Sequence, residues 1–426
     1  MKVRIISLVL TTLFVFIGIT NHGFLFEWDD QWVVFNKYTN AGLDFGNLWA
    51  VMTDFHHGQY APFNEFSYIL IHEAFGYSPM AFHAASILWH AANTVLLFLF
   101  LQRLLKMIPG NRMAERAPDV AWVCCMLWAV HPVNVEPVAW VSASKILIYA
   151  FYYLAALLLY LYYIERPGIG KYMALLALFV FSFLGKEQAV VLPLAFLMVD
   201  YVTKREEGVR YLILEKLPFL VLALFFGVLT IISQGSGGNM PEYDLWQRML
   251  FCAYTLYEYM VKTIMPMNLI YLYPFPTTPD GEMPTTMFVY PILIAAAAWL
   301  TYMMRKERIL VFGILFFLIH LLVAVHLISI SRFAIVADRY NYMAMVGPLL
   351  TVAYYLCLWA QKRRWAARAV GAIYFAYLCT YTMVYQQNWD NSEHVKRKVM
   401  ELVNDKKKDS ETEEVYDQLS GDGQES

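Results

Sequence analysis

Apolar stretches of about 20 residues recur along the whole chain, and short polar segments separate them. A helix of that length crosses the hydrocarbon core of a bilayer, which is about 30 Å thick. The pattern therefore predicts an all-α polytopic membrane protein with about 11 transmembrane helices. The predicted spans are residues 5–21, 82–104, 119–131, 146–163, 172–185, 188–202, 212–232, 287–304, 309–328, 342–360 and 366–384.

Composition agrees with this class. Hydrophobic residues make up 59% of the 426 positions and charged residues 15%, against roughly a quarter charged in soluble domains. A net charge of −2 argues against a nucleic-acid partner. The cysteines all lie in apolar stretches, which predicts small buried hydrophobes rather than metal ligands. The first 20 residues lack a small-x-small cleavage site, so we expect a retained span rather than a signal peptide.

Basic residues mark the cytoplasmic side of a membrane protein. With 11 spans, the basic clusters all fall on one side; they are Lys2 with Arg4, 103–116, 166–171, 204–210, 305–308 and 361–368. The helix at 248–266, with Glu258 and Lys262 one turn apart, is then external or re-entrant. The predicted non-cytoplasmic loops are 22–81, 131–145, 233–286 and 329–341.

The end of the chain differs from the rest. After residue 385 the sequence is rich in charge and poor in core-forming residues, a composition typical of disorder. We therefore divide the chain into a membrane domain, 1–385, and a polar, disordered, non-cytoplasmic tail, 386–426.

Two adjacent predicted spans, 172–185 and 188–202, are short for a bilayer. Lys186 and Glu187 form the turn between them, so these charges would lie below the outer membrane surface. Charges at depth are costly and usually face a cavity. The segment predicts either a recessed ligand cavity or a structural ion pair that holds a hairpin.

Asp29 and Asp30, in "FEWDD" (26–30), follow the first predicted span. They are either solvated acids at a helix end or part of a site. Acids, histidines and basic residues also occur at the other external span ends, which favours chemistry at that face. Transfer from a lipid-linked sugar phosphate needs a base for the acceptor and cations for the departing phosphate. Asp29 and Asp30 would supply the base, and Lys186, Arg339 and Lys145 the cations.

Metal binding is a further alternative. His56 and His57 with Asp54, or His131 with Glu136, could hold a divalent ion. Adjacent histidines rarely share one ion, and single histidines at span ends usually form hydrogen bonds. We expect no metal centre and no cofactor.

Several blocks carry a resemblance to a known family. They are "FEWDD" (26–30), "YAPFNEFSYILIHEAFGYSPMAFHAASILWHAANTVLLFLFLQRLL" (60–105), "HPVNVEPVAWVSASK" (131–145), "LGKEQAVVLPLAFLMVDY" (184–201), "MPMNLIYLYPFP" (265–276), "VADRYNYMAMVGP" (336–348) and "QQNWDNSE" (386–393). In this order they resemble the membrane portion, without the repeats, of the transmembrane-and-tetratricopeptide O-mannosyltransferase family of the GT-C superfamily.

That resemblance implies the GT-C fold and an inverting glycosyltransferase. The donor would be a polyprenyl-phosphate monosaccharide, mannose-like, and the acceptor a protein Ser or Thr hydroxyl. The active site would lie on the non-cytoplasmic face of a multi-pass membrane protein. We expect a bacterial plasma membrane rather than an endoplasmic reticulum membrane.

The resemblance also assigns roles to residues. Asp29 is the expected base and Asp30 its partner, which orients acceptor or sugar. Lys186, Arg339 and Lys145 are expected at the donor phosphate. The supporting residues expected around them are Glu187, Asp338, Glu136 and His131.

One block departs from the family pattern. In "SASKIL" (142–147), Ser144 stands where relatives more often have Arg, and Lys145 is next to it. The cation is shifted by one position, or the donor differs. Other functions remain open: the same fold acting on a glycan or lipid acceptor, a transporter or flippase of lipid-linked intermediates, and an inactive assembly partner.

Overall fold

The computed structural model describes residues 1–234, 243–327 and 334–407, and they are mostly helical. Five described helices are long and apolar enough to cross a membrane; they are Lys2–Asn21, Pro79–Met107, Val141–Glu165, Val209–Ser233 and Thr285–Met303. A pair bent by 52°, Asp338–Ala344 with Val346–Lys362, makes a sixth if the two form one span. The chain is thus an all-α membrane protein by length and composition, while the expected count of 11 spans is not confirmed.

The helix bounds follow the predicted apolar runs. In chain order the helices are α1 (Lys2–Phe16), α2 (Gln31–Val33), α3 (Lys37–Ala41), α4 (Phe45–Thr53), α5 (Pro62–Phe75), α6 (Pro79–Met107), α7 (Ala117–Ala129), α8 (Val135–Ala139), α9 (Lys145–Glu165), α10 (Ile169–Gly185), α11 (Leu192–Thr203), α12 (Val209–Gln234), α13 (Leu245–Ile264), α14 (Val289–Met303), α15 (Arg308–Leu321), α16 (Asn341–Ala344), α17 (Val346–Lys362), α18 (Arg364–Tyr385) and α19 (Ser392–Lys407). The paired strands β1 (Tyr273–Pro274) and β2 (Ala334–Val336) are antiparallel.

The helices differ in how far they are enclosed. In the most apolar 18-residue stretch of α9, counted with the turn before it, 67% of the residues are buried, and in that of α6 56% are buried. In the corresponding stretches of α12 and α14 only 17% and 6% are buried. Helices α6 and α9 therefore form the centre of the fold, whereas α12 and α14 present apolar side chains outward, as lipid-facing helices do.

Most of the predicted site lies in four short segments, made of turns and brief helical turns, that connect the longer helices. These are 26–30, 131–144, 186–191 and the turn 337–340 that follows β2. The strand pair ties residue 273 to residue 336 and so fixes the start of the last turn. Helix α10 is 17 residues long, about 25 Å, so it is short for a bilayer as the sequence predicted, and the turn at Lys186 and Glu187 joins it to α11.

Helix α13 occupies the segment that we expected to be external or re-entrant. It is 20 residues long but is not among the helices apolar enough to span. Its Lys262 ammonium lies 3.6 Å from the Glu258 carboxylate, the one-turn pair predicted there.

The end of the chain differs from our expectation of disorder. A turn, Gln386–Trp389, and helix α19 continue the fold beyond α18. The buried side chains of Trp389 and Val395 give this segment an apolar contact face, which the high charge of the sequence hid. The rest of the predicted tail, 408–426, lies outside the described residues.

Helices α15 and α17 meet backbone to backbone. A Cβ placed on Gly347 would lie 2.9 Å from the carbonyl carbon of Gly313, and one on Gly313 would lie 2.8 Å from the Gly347 carbonyl oxygen. Small residues at such crossings let helices approach closely inside a membrane.

We therefore expect Gly347→Ala to destabilise the protein by roughly 1–3 kcal/mol, the usual cost of overpacking. Thermal unfolding in detergent measures this. Gly227→Ala on α12 is the matched control, because a Cβ there meets no atom within 4 Å. Equal midpoints for the two variants would contradict the contact.

Candidate active site

The acidic pair lies in an irregular turn, Phe26–Asp30, rather than in a regular helix end. Glu27, Trp28 and Asp29 have non-helical backbone angles. Asp29 itself is left-handed, with φ 77° and ψ −21°. A non-glycine residue adopts this conformation at some energetic cost, although Asp tolerates it better than most. The turn directs the two neighbouring carboxylates into different surroundings.

Asp30 is fully buried and its carboxylate is used by the fold. It accepts hydrogen bonds from the Leu25 amide at 2.7 Å, the Ser142 amide at 3.1 Å and the Ser142 hydroxyl. Burial raises the pKa of Asp30 to about 6, although the bonds from Ser142 and Leu25 act in the opposite direction. Asp30 therefore ties the first loop to the second loop.

Asp29 is half-buried and has fewer partners. Its carboxylate accepts a side-chain hydrogen bond from Trp32 and lies within the field of Lys145, Arg339 and His57. Burial raises its pKa above the ordinary range, and the charges of Lys145 and Arg339 oppose that shift. A carboxylate with a raised pKa is better suited to accept a proton than one at its ordinary pKa.

Lys145 stands at the start of α9, facing this carboxylate. Its ammonium donates a hydrogen bond to the side-chain oxygen of Gln59. No ion pair within 4 Å involves Lys145 in residues 1–234, 243–327 and 334–407. The charges that act on it are those of Lys186, Glu187, Arg339 and Asp29.

Lys186 and Glu187 pair with each other at 2.8 Å. Lys186 is buried and also lies over the Tyr340 ring, 5.7 Å from its centroid. Burial acts to raise the pKa of Glu187, but Lys186 and Lys145 together hold it below its ordinary value. The turn between α10 and α11 is thus joined electrostatically to the start of α9.

The guanidinium of Arg339 contacts one carboxylate and two aromatic rings. Its amide donates to Glu136 at 2.7 Å, and its guanidinium pairs with the same carboxylate. The guanidinium lies 5.4 Å from the Trp140 ring and 5.0 Å from the Tyr340 ring. A planar cation between aromatic faces is fixed in orientation. Glu136, which is buried, thereby joins the site as the anchor of Arg339.

Asp338 lies behind Arg339 and is almost fully buried. It accepts a hydrogen bond from the Tyr273 hydroxyl, at 3.1 and 3.2 Å to its two oxygens. The Lys262 ammonium lies over the same Tyr273 ring at 4.1 Å. Asp338 is placed to support the turn rather than to meet a substrate.

His131 is not part of the charged cluster. Its Nε2 bonds to the Thr263 carbonyl at 3.0 Å and its Nδ1 accepts from the Val133 amide at 3.3 Å. Both ring nitrogens are therefore used by backbone groups. The structure places His131 at a loop junction, outside contact with Asp29.

No metal-holding cluster is found in the described part of the chain, where we see no group of three or more His, Cys, Asp or Glu suited to one ion. The His56 Nε2 instead bonds to the Trp32 carbonyl at 3.0 Å. The His56 and His57 rings lie edge to face, with centroids 4.5 Å apart. The absence of a metal centre stays a prediction from the sequence.

Some charged side chains of the cluster form ion pairs with each other and others do not. Glu187 neutralises Lys186, and Glu136 neutralises Arg339. Asp29 and Lys145 have no ion pair within 4 Å in the described residues, and Lys145 is the charge that acts most strongly on Asp29. The arrangement can accept a proton at Asp29 and bind an anion at Lys145.

Sequence reasoning missed several side chains that hold this cluster. They are Gln59, Ser142, Trp140, Tyr340 and Trp32. Trp140 and Ser142 lie inside the 131–145 block that resembles the family, so their place in the sequence could have indicated a position near the site. Gln59 is in a loop 86 residues before its partner and had no signal in one sequence.

Glu65 also gains importance from the structure. Together with His56, Gln59 and Asp54, it lines a cavity of about 30 Å³ beside Trp32. This is room for water. The Glu65 carboxylate accepts a bond from the Asn36 amide group at 3.0 Å. Burial raises its pKa to about 7, while Asn36 and Lys145 oppose the shift.

A raised carboxyl pKa predicts a specific pH dependence of stability. Glu65 has a pKa near 4.5 in the unfolded chain and about 7 in the folded protein. The stability that this difference provides is fully present below pH 4.5 and is lost as the pH rises through about 7. Wild type should therefore lose stability relative to Glu65→Gln across that window, by up to about 3 kcal/mol. Unfolding midpoints from pH 5 to 8 measure this.

The matched control for this prediction is Glu73→Gln, an exposed position on the same helix. We expect its difference from wild type to stay constant with pH. A constant difference for Glu65→Gln as well would show that Glu65 is ionised throughout.

Comparison with known proteins gives partial matches. No family model and no solved structure matches the chain. It is 30% identical over 148 residues to human protein O-mannosyl-transferase TMTC4, which is 32% of this chain and 20% of that protein. The mouse protein of the same name is 26% identical over 186 residues, 39% of this chain and 25% of that protein.

The matched region thus spans a fifth to a quarter of the length of these curated relatives. Both relatives are mammalian, so they give no support to the expected bacterial membrane. No family model supports the narrower GT-C assignment. The similarity, with the apolar helices, indicates a membrane protein related to glycosyltransferases.

Proposed function

We propose that the chain is an inverting GT-C glycosyltransferase that moves a mannose-like sugar from a polyprenyl phosphate to a protein Ser or Thr hydroxyl. The observation that carries the proposal is the pairing pattern around Asp29. Its neighbour Asp30 accepts three hydrogen bonds from the fold, while Asp29 accepts a side-chain hydrogen bond from Trp32 and is acted on most strongly by the charge of Lys145. The two relatives are named as protein O-mannosyl-transferases, which supports the choice of sugar and acceptor.

The transfer uses one base and one leaving anion. The acceptor oxygen attacks the anomeric carbon, and its proton passes to Asp29. The bond from that carbon to the phosphate oxygen breaks on the opposite face, so the configuration inverts. The polyprenyl phosphate leaves as an anion and needs no proton. Cations near its oxygens stabilise the charge that develops.

Lys145 is our proposed main contact to that phosphate, because it has no carboxylate partner. Arg339 and Lys186 keep their carboxylates and add positive potential from two further turns. Removal of water strengthens these interactions, and the site lies between buried turns. The donor's polyprenyl chain would remain in the bilayer beside the apolar helices.

The site is proposed to face the non-cytoplasmic side, as the basic clusters predict. The mechanism is the same for a bacterial plasma membrane and for an endoplasmic reticulum membrane. Transport of a lipid-linked intermediate would not require a base, whereas Asp29 has the surroundings of one.

The direct test of Asp29 compares wild type with Asp29→Asn, each given radiolabelled polyprenyl-phosphate mannose and separate protein, glycan and lipid acceptors. We expect a loss of transfer of about 10²–10⁴-fold, the usual contribution of a general base. Asn tolerates the left-handed backbone, so the unfolding midpoint should stay close to wild type.

The labelled fraction identifies the acceptor class. Because burial raises the pKa of Asp29, the acid limb of the wild-type rate profile should lie above about pH 4. Equal transfer by wild type and Asp29→Asn would exclude Asp29 as the base. Label bound but never transferred by wild type would instead favour a carrier of the donor.

Lys145→Met tests the phosphate contact. We expect a decrease in the rate of transfer of roughly 10²–10³-fold, as for loss of one stabilising donor. The acid limb should also move to higher pH, because Lys145 is the charge that most lowers the pKa of Asp29. Lys37→Met, which removes an exposed cation paired with Asp54 at 3.7 Å, is the control.

A Lys145→Met enzyme with an unchanged rate and profile would exclude Lys145 from the site. A changed profile with an unchanged affinity for the donor would leave Lys145 as a neighbour of the base only.

A further inference from the structure

The segment 386–399, which we name the C-terminal brace, lies directly against the acidic turn. The Gly23 amide donates to the Asp390 carbonyl at 2.8 Å. The Phe26 amide donates to the Ser392 hydroxyl oxygen at 2.9 Å, and that hydroxyl lies 3.4 Å from the Phe24 carbonyl. The brace thus holds the backbone just before the turn that contains Asp29.

Helix α19 extends this contact across the turn. Its Lys396 ammonium pairs with the Glu27 carboxylate at 3.0 Å. Val395 and Val399 are buried on the same side of the helix. The ion pair is about half exposed, so it adds little to global stability. It does join α19 to residue 27 of the turn, and so acts locally on the backbone beside Asp29.

Trp389 gives the C-terminal brace a second contact with the site, through Trp140. Its ring is fully buried and stacks on Trp140, with centroids 6.0 Å apart and planes at 27°. Trp140 in turn donates to the Trp28 carbonyl at 2.8 Å and supports the Arg339 guanidinium. One aromatic side chain of the brace therefore backs both the base and a cation.

We propose that the C-terminal brace is a positioning element of the active site, which holds the strained 27–29 backbone so that Asp29 faces the acceptor. This inference rests on the proposed function. A left-handed Asp persists only where its surroundings determine the backbone. The brace supplies these restraints from residues more than 350 positions away in the sequence.

Positioning has a kinetic signature different from that of donor binding. Lys145 and Lys186 stand on α9 and on the α10–α11 turn, neither of which contains a brace residue. Loosening the brace at the Lys396–Glu27 pair should therefore lower kcat and leave the KM for the donor nearly unchanged, whereas a change at Trp389, which backs Trp140 beside Arg339, should alter both. A misplacement of a reacting group by about 1 Å can cost as much as 10²-fold.

A charge swap tests this in the full chain. Glu27→Lys and Lys396→Glu each place like charges together, and the double variant restores an opposite pair. We expect kcat to fall at least threefold in each single variant and to recover in the double variant. Lys398→Glu is the control, because Lys398 is two residues beyond Lys396, on nearly the opposite face of α19, and is paired with Glu401 at 2.8 Å.

Hydrogen exchange of the 24–30 amides provides a readout that does not need activity. We expect faster exchange there in both single variants and wild-type exchange in the double variant. Trp389→Phe, which keeps a ring against Trp140, should lose less kcat than Trp389→Leu.

The outcomes separate the two proposals. Unchanged kcat and unchanged exchange in both single variants would overturn the positioning role. Faster exchange with no recovery in the double variant would also overturn it, because the effect would then not come from the ion pair. Wild type without transfer activity, but with the expected exchange pattern, would overturn the glycosyltransferase proposal and keep the brace as the support of the turn.

Discussion

A buried carboxylate, Asp30, organises the site. Taking an ionisable group out of water is costly unless hydrogen bonds replace the lost solvation. Three donors from Leu25 and Ser142 do so here. Because those donors belong to two loops 112 residues apart, the bonds join the loops into one body. The same bonds leave Asp29, the next residue, turned toward the cations.

The rest of the cluster follows the same logic of compensation. Two cations of the cluster each have a carboxylate partner: Arg339 pairs with Glu136, and Lys186 pairs with Glu187. These pairs keep the net charge of the interior near zero, while Lys145 keeps its positive charge without such a partner. A substrate phosphate would then compete with no carboxylate for Lys145.

The apolar pattern was enough to predict an all-helical membrane protein, because crossing the bilayer requires long apolar runs with an internally bonded backbone, and one sequence displays such runs. It was not enough to count spans. Helices such as α7, with 13 residues, are apolar but shorter than a bilayer, and packing rather than hydropathy decides their depth.

The candidate residues were selected as charges near span ends, and the structure gathers Asp29, Lys145, Lys186 and Arg339. The charge pattern alone could not distinguish Asp29 from Asp30, because the difference lies in the partners supplied by Ser142; the family resemblance pointed to Asp29 as the expected base. Sequence also could not place Gln59 or Trp389, whose contacts depend on the turns between distant helices. His131 satisfied the same selection and lies elsewhere, held by backbone groups.

The left-handed backbone at position 29 restricts which residues can stand there. Glycine, asparagine, aspartate and histidine adopt that conformation more readily than other residues. Glutamate would keep the carboxylate but would resist this backbone. The proposed role at position 29 therefore makes two separate demands on one residue, a proton acceptor on the side chain and a tolerance for left-handed backbone, and aspartate meets both.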